Sequence, residues 1–149
     1  MVTRQVSVIG SGAEHEAAAE EVGRLLAEAG CTVVTGGLGE VMAAAHRGAK
    51  SAGGTTIAIL PGEGHGDANP WADHVVVTGI GHARNLAVAA SGHAVVAVGG
   101  SWGTLAEIAF ALRLGRPVVV LGDGPSVEGV PRVGSAREAI ELVLAAASA

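Results

Sequence analysis

The sequence predicts an α/β fold with an open, doubly wound, mainly parallel sheet and helices on both faces. Three observations predict it. Short apolar runs alternate with stretches of helical period, so helices join the strands and the strands lie parallel. The strand runs are apolar throughout rather than alternating, the pattern of strands buried on both faces. Glycine clusters follow the strands, where the chain turns into a helix.

The elements follow in order. Val6-Ser7-Val8-Ile9 is the first strand, ended by Gly10-Ser11-Gly12. Positions 14–29 carry Ala18, Val22, Leu25, Leu26 and Ala29 at helical spacing, and Gly30 closes the helix. Cys31-Thr32-Val33-Val34-Thr35 is the second strand, Gly36-Gly37-Leu38-Gly39 its turn, and 41–52 an Ala-rich helix closed by Gly53-Gly54. The third strand spans 55–60. Positions 61–72 are rich in Gly and Pro and lack a period, so they form a loop of the length that marks a lid or binding loop. A fourth strand at 74–78 leads through Gly79-Ile80-Gly81 into a helix over 82–91. The fifth strand, 94–98, ends in Gly99-Gly100-Ser101-Trp102-Gly103-Thr104, and a helix runs on to 114. The sixth strand is 117–121, a loop covers 123–134, and the last helix covers 135–147. The result is a Rossmann-like sheet of about six or seven strands. Ligands of such sheets bind beyond the carboxyl ends of the strands, at the switch in strand order.

Composition narrows the function. The chain has 149 residues, a common size for one domain, and no boundary or repeat of fixed period divides 1–149. A domain of that size needs no disulfide or metal to fold. Aromatic residues are 2% of the chain and Tyr is absent, which argues against a stacking platform for single-stranded nucleic acid. The net charge is -5 and the pI about 5.6, so there is no basic footprint for a nucleic-acid polymer. A single phosphate remains a suitable ligand, because its binding depends on local geometry. Cys31, the one cysteine, reads as a small buried hydrophobe in a reducing compartment. Met1 to Gln5 leads straight into a strand without the apolar core of a signal peptide. No apolar run approaches the roughly 18 residues of a membrane span. The expectation is a cytoplasmic protein with no membrane partner.

The glycine turns carry the candidate site. Gly10, Ser11 and Gly12 stand where a dinucleotide fingerprint begins, but the third glycine is missing and the second strand ends without an acidic residue. Both absences argue against an ordinary NAD site, while contact with a ligand phosphate is retained. Gly36, Gly37 and Gly39 let backbone N–H groups approach a ligand, and Met42 behind them reads as core. Arg84 lies near a helix start, where a cation opposes the helix dipole by about 0.3–1 kcal/mol. A solvated surface position tolerates that; the carboxyl edge of the sheet favours contact with a ligand phosphate or carboxylate, with Asn85 beside it. By spacing alone Thr104-Leu105-Ala106-Glu107 is a capping box. Gly100, Ser101, Gly103 and Thr104 line the turn, and Trp102 suits the covering of a base or pterin ring, or packing at a dimer interface. The six histidines form no metal pattern. His65 and His82 lie within reach of the ligand edge, although structural or solvated roles suit them better.

Thr35-Gly36-Gly37-Leu38-Gly39-Glu40-Val41-Met42, Arg47-Gly48-Ala49, Gly53-Gly54 and Leu60-Pro61-Gly62 resemble the first half of the LONELY GUY (LOG) superfamily, formerly often labelled as lysine decarboxylases. Arg84-Asn85 and Gly100-Ser101-Trp102-Gly103-Thr104-Leu105-Ala106-Glu107 resemble its second half, whose hallmark is PGGxGTxxE. The resemblance runs from the first strand to about Leu121. It implies a nucleotide site at a homodimer edge. It also implies hydrolysis of the N-glycosidic bond of a nucleoside 5′-monophosphate to base and ribose 5-phosphate. Arg84 and Glu107 match the family's catalytic pair by motif position. Glu107 would hold the ribose hydroxyls and stabilise oxocarbenium charge, while Arg84 and the turn would fix the phosphate. Two departures stand out. Ser101 occupies a motif glycine, and Asn85 stands where the enzymes usually carry Lys. Both resemble a compact subgroup that includes molybdenum cofactor carriers.

Two functions follow as expectations. One is a phosphoribohydrolase acting on purine nucleoside monophosphates such as AMP, with no cofactor required. The other is a non-catalytic binder or carrier of a nucleotide or of molybdopterin. Both imply a small nucleotide-type or pterin-type ligand and a homodimer or higher oligomer, and neither involves a metal held by protein ligands.

Overall fold

Strand and helix alternate along the chain, which the computed structural model describes from residue 3 to residue 147. Met1 and Val2, which the sequence places ahead of the first strand, lie outside the described residues, as do Ser148 and Ala149. The first half runs β1 (Gln5–Ser11), α1 (Glu16–Glu28), β2 (Thr32–Thr35), α2 (Glu40–Ser51), β3 (Thr56–Leu60) and β4 (His74–Val77). The second half runs α3 (Arg84–Ser91), β5 (Ala94–Gly99), α4 (Trp102–Arg113), β6 (Val118–Leu121), β7 (Arg132–Val133) and α5 (Ala136–Ala147).

The seven strands form one sheet in the order β4-β3-β2-β1-β5-β6-β7, and every pairing is parallel. The chain winds outward from β1 to β4, then returns to the other side of β1 and winds outward again. The switch in strand order therefore falls between β1 and β5, which pair along Ile9↔Ala97, Gly10↔Val98 and Ser11↔Gly99. A crevice opens there beyond the carboxyl ends.

Both faces of the sheet are covered. On one, Val6, Val8, Val33, Val96 and Val98 pack under α1, α2 and α5. On the other, Ile9, Val34, Val95, Ala97 and Val120 pack under α3 and α4. This explains why the strand runs are apolar without alternation. Ser7 is the polar residue in the buried stretch of β1, and its hydroxyl donates to the Val88 carbonyl at 2.6 Å. With so few aromatics, small residues let the layers close. A Cβ on Gly23 would stand 1.9 Å from the Ala45 carbonyl oxygen, and one on Gly48 1.9 Å from that of Glu20. These two glycines bring α1 and α2 into backbone contact.

The structure corrects several sequence-based boundaries. The stretch 123–134 is not all loop, because β7 pairs there with β6. A two-residue strand has no period to detect. β4 is an edge strand, with Val76 48% exposed, so it is not buried on both faces as its apolar run suggests. Short 3-10 turns at Ala13–His15 and Gly81–Ala83 precede α1 and α3, so the α-helices begin later than the spacing implies. A third, His65–Asp67, lies within the 61–72 loop. Among the described residues, no helix is long and apolar enough to cross a membrane.

The α1–α2 contact sets a stability test. Ala raises helix propensity over Gly by about 1 kcal/mol, whereas forcing an atom into a packed backbone contact costs about 1–3 kcal/mol or more. Gly23→Ala is expected to lower stability by about 1–2 kcal/mol, read as a fall in the urea midpoint. An unchanged midpoint would show that the helices are not in contact at this position.

Candidate ligand-binding site

A cavity of about 200 Å³ opens at the β1–β5 switch point. The end of β1 contributes Gly10 and Ser11, and α2 contributes Met42. The 3-10 turn before α3 contributes His82, the start of α3 contributes Arg84 and Asn85, and the cap and first two turns of α4 contribute Ser101, Gly103, Thr104 and Glu107. A further hollow lined by Leu38 and Pro61 shares His82, Arg84 and Asn85 with it.

Local backbone geometry builds this cavity. Gly10 has φ 129°, and a Cβ there would stand 1.9 Å from the Val98 carbonyl oxygen. Only glycine allows β1 and β5 to run side by side to their ends. At Gly36 a Cβ would lie 2.6 Å from Arg84 Nη1, so the turn after β2 is the seat of the Arg84 guanidinium. The structure overturns the capping-box reading of Thr104 and Glu107. Ser101 is the cap of α4, it makes no side-chain capping bond, and the helix starts at Trp102. Thr104 therefore stands within the first turn and Glu107 in the second. The first N–H groups of α4 have no intrahelical acceptor, a ready site for an anion.

Arg84 is not a solvated surface cation: it is only 7% exposed, and Glu107 only 5%. Arg84 Nη1 donates to Asn85 Oδ1 at 2.7 Å. Arg84 Nε and Glu107 Oε2 are buried without any hydrogen-bond partner. Burial pushes the Glu107 carboxyl up to about 7, with the positive charge of Arg84 opposing that rise. Burial also lowers the pKa of Arg84, opposed by the charge of Glu107; the guanidinium still stays protonated. A buried donor and a buried acceptor left unmatched cost about 1–3 kcal/mol each. Both residues line the cavity, which a polar ligand can fill.

The other sequence-selected residues divide. Gly100 and Trp102 line a neighbouring cavity, which Ser101 shares. Gly12, with φ 108°, faces the Glu14 carboxylate. Gly37 packs on Ala58 and Leu60, and Gly39 caps α2. None of these three lines the cavity. Met42, which the sequence assigns to the core, lines it instead, and its sulfur accepts from the Leu38 N–H at 3.4 Å.

His46 is a residue that spacing did not single out. It is fully buried, and burial holds its imidazole down at about 4, so the ring is neutral. Asn69 Nδ2 donates to Nδ1 at 3.1 Å, which leaves Nε2–H to donate to Thr35 Oγ1 at 3.1 Å. Thr35 Oγ1 also accepts from the Gly37 N–H at 3.0 Å, and the Asn69 N–H donates to the Gly37 carbonyl at 2.9 Å. These bonds tie the 61–72 loop to the glycine turn that seats Arg84. No sequence signal links positions 23 residues apart. Among the described residues, no group of three His, Cys, Asp or Glu side chains is placed to hold a metal.

Fold and cavity together define a Rossmann-type α/β protein with a crevice at its switch point, lined by a buried Arg and a buried Glu. The chain belongs to the SLOG cluster4 family, whose model matches residues 3–146. It is 40% identical over 147 residues to an uncharacterized protein of Archaeoglobus fulgidus, covering 97% of each chain. It is similar to the structure of the molybdenum cofactor binding protein of Rippkaea orientalis, with TM-score 0.90, 32% identity, and coverage of 97% of this chain and 98% of that one. It is equally similar to the molybdenum cofactor carrier protein of Chlamydomonas reinhardtii, with TM-score 0.90, 34% identity, and coverage of 99% and 100%.

The state of Glu107 gives a prediction with a definite sign. Its pKa rises from an ordinary 4.5 to about 7 on folding. Between those values the folded protein holds more protons than the unfolded chain, so this group lowers stability as pH rises and contributes its full penalty above 7. Glu107→Gln removes that penalty, about 3 kcal/mol. The variant is expected to melt several degrees above the parent at pH 8 and within a degree or so of it at pH 4. Equal melting differences at the two pH values would mean that the carboxyl is not held protonated by burial.

Proposed function

We propose that this protein is a non-catalytic binding or carrier protein for the molybdenum cofactor, held at the β1–β5 switch point. The observation that carries this reading is the near-complete likeness to two molybdenum-cofactor-binding structures, spanning 97% and 99% of the chain. The site suits such cargo. A terminal phosphate meets the Arg84 guanidinium and the free N–H groups at the start of α4. The unpartnered Glu107 oxygen accepts from a ligand N–H or O–H. Ser101 and Asn85, which depart from the LOG hydrolase pattern, fit binding without turnover. A reducing cytoplasm suits the buried, unpaired Cys31.

One observation favours hydrolysis as a second reading: a buried carboxyl near neutrality beside a buried guanidinium is a competent arrangement for cleaving the glycosidic bond of AMP. A single preparation separates the two. The protein is mixed with molybdenum cofactor released from a donor molybdoenzyme, then gel-filtered and assayed for molybdenum and oxidised pterin fluorescence. Retention is expected, with Arg84→Ala weakening it about 10- to 100-fold through loss of charged hydrogen bonds. No adenine is expected from AMP. Adenine release that Glu107→Ala abolishes, without retention of the cofactor, would replace the carrier reading with the hydrolase.

We further propose a homodimer through the outer faces of α3 and α4. Leu86, Phe110 and Leu114 are 44%, 36% and 43% exposed and line one hollow with Arg113. An apolar patch of this kind favours a partner surface. Sedimentation velocity at micromolar concentration is expected to give a dimer. Phe110→Glu should give a monomer with an unchanged circular dichroism spectrum. A monomeric parent protein would sink the proposal.

A further inference from the structure

A second cavity, of about 330 Å³, lies on the other side of the Ser101–Trp102 turn. Its walls are Gly100, Ser101, Trp102 and Leu105 on one side and the 123–126 loop on the other. Ser101 lines both this cavity and the one holding Arg84 and Glu107, so the two adjoin.

The loop wall is built and pinned. Arg132 Nη2 donates to the carbonyls of Gly124 at 2.7 Å and Pro125 at 3.0 Å, and its Nη1 donates to that of Gly122. A Cβ on Gly124 would stand 2.6 Å from the Gly99 carbonyl oxygen, so the loop backbone rests directly on the glycine turn. This fixes Asp123 at the cavity, where it is the single acidic side chain of the lining. Across from it Trp102 is 83% exposed. Its indole faces are largely free of protein contacts and available for stacking against a flat ring.

The joined cavities are polar in opposite senses. One end offers the Arg84 guanidinium and the unbonded N–H groups of the first turn of α4. The other offers a carboxylate, which accepts hydrogen bonds and repels phosphate. A ligand that spans both must be anionic at one end and carry N–H donors at the other. We propose that the cavity beside Trp102 is a ring subsite that selects a 2-amino-4-oxopyrimidine edge, with the ring stacked on Trp102 and its two adjacent N–H groups donating to Asp123. Pterins and guanine share that edge. Adenine presents one donor next to an acceptor and mismatches a carboxylate. The proposal deepens the carrier reading, since it rests on a phosphate-bearing ligand lying in the adjoining cavity.

Isothermal titration of the full-length protein tests it, with inorganic phosphate, AMP, GMP and 6-hydroxymethylpterin as probes. The parent is expected to bind GMP at least tenfold more tightly than AMP. Asp123→Asn should bring the two within about twofold while leaving phosphate affinity unchanged. Trp102→Ala should weaken both nucleotides and preserve their ratio. Competition between 6-hydroxymethylpterin and GMP in the parent, lost in Asp123→Asn, supports the ring edge with a pterin as its source. A GMP preference that vanishes in Asp123→Asn, without pterin competition, supports it with a nucleotide as the source. Equal affinity for GMP and AMP in the parent overturns the proposal, as does a preference that survives in Asp123→Asn. If the molybdenum cofactor is retained without any base preference, the ring subsite alone fails. If the GMP preference holds while the cofactor is not retained, the carrier reading alone fails. Binding of no probe overturns the ring subsite, and binding of no probe together with no retention of the cofactor overturns both.

Discussion

Gly10 lies so close to the Val98 carbonyl that no side chain fits between them, and the site depends on this contact. It lets β1 and β5 stay paired to their carboxyl ends, with Ser11 opposite Gly99. The turn after β5 then delivers the start of α4 directly over the end of β1. Because the chain has already wound out to β4 and returned, α3 enters from the other side of the switch. Arg84 and Glu107, which sit 23 positions apart in the sequence, come to one cavity for that topological reason. The crevice is a consequence of strand order, and glycine at position 10 keeps it open to the backbone beneath.

Two buried titratable groups near this crevice act on stability in opposite senses. The imidazole of His46 drops from an ordinary 6.5 to about 4. Between those values the unfolded chain binds more protons, so stability rises with pH. Glu107 has its pKa raised to about 7, and over 4.5 to 7 the folded protein binds more protons, so stability falls with pH. The two slopes oppose each other where the windows overlap. Their roles differ as well. His46 is satisfied by Thr35 and Asn69 and secures the loop wall. Glu107 keeps an unpartnered oxygen, and Arg84, which lines the same cavity, keeps an unpartnered nitrogen, the signature of groups waiting on a ligand.

Much of the fold was legible in the sequence because its signals are local. Continuous apolar runs such as Val95-Val96-Ala97-Val98 report burial on both faces, and helical periods such as Val22, Leu25 and Leu26 report the covering helices. The signals failed where they are short or where position in the sheet decides. β7 is two residues long and carries no period. The run His74-Val75-Val76-Val77 reads as a strand buried on both faces, yet it is an edge, because edge position is set by winding order rather than by composition. The capping-box motif was also misleading. Thr104-Leu105-Ala106-Glu107 has the right spacing, but the cap of α4 is Ser101, three residues before Thr104, and Glu107 lines the cavity.

The sequence by itself determined the fold class, the parallel sheet, the glycine turns at its carboxyl edge and the two charged residues placed beside them. Each of these is written in nearest-neighbour chemistry: period, turn residues and helix starts. Only the tertiary structure decided that Arg84 and Glu107 are buried together with unmatched polar atoms. It also decided that Met42 lines the cavity and that Gly12, Gly37 and Gly39 do not, and it alone revealed the Thr35–His46–Asn69 strap. Burial and the pairing of distant side chains depend on which elements the winding order brings side by side. That order is a property of the whole packed chain and is not encoded in any one segment.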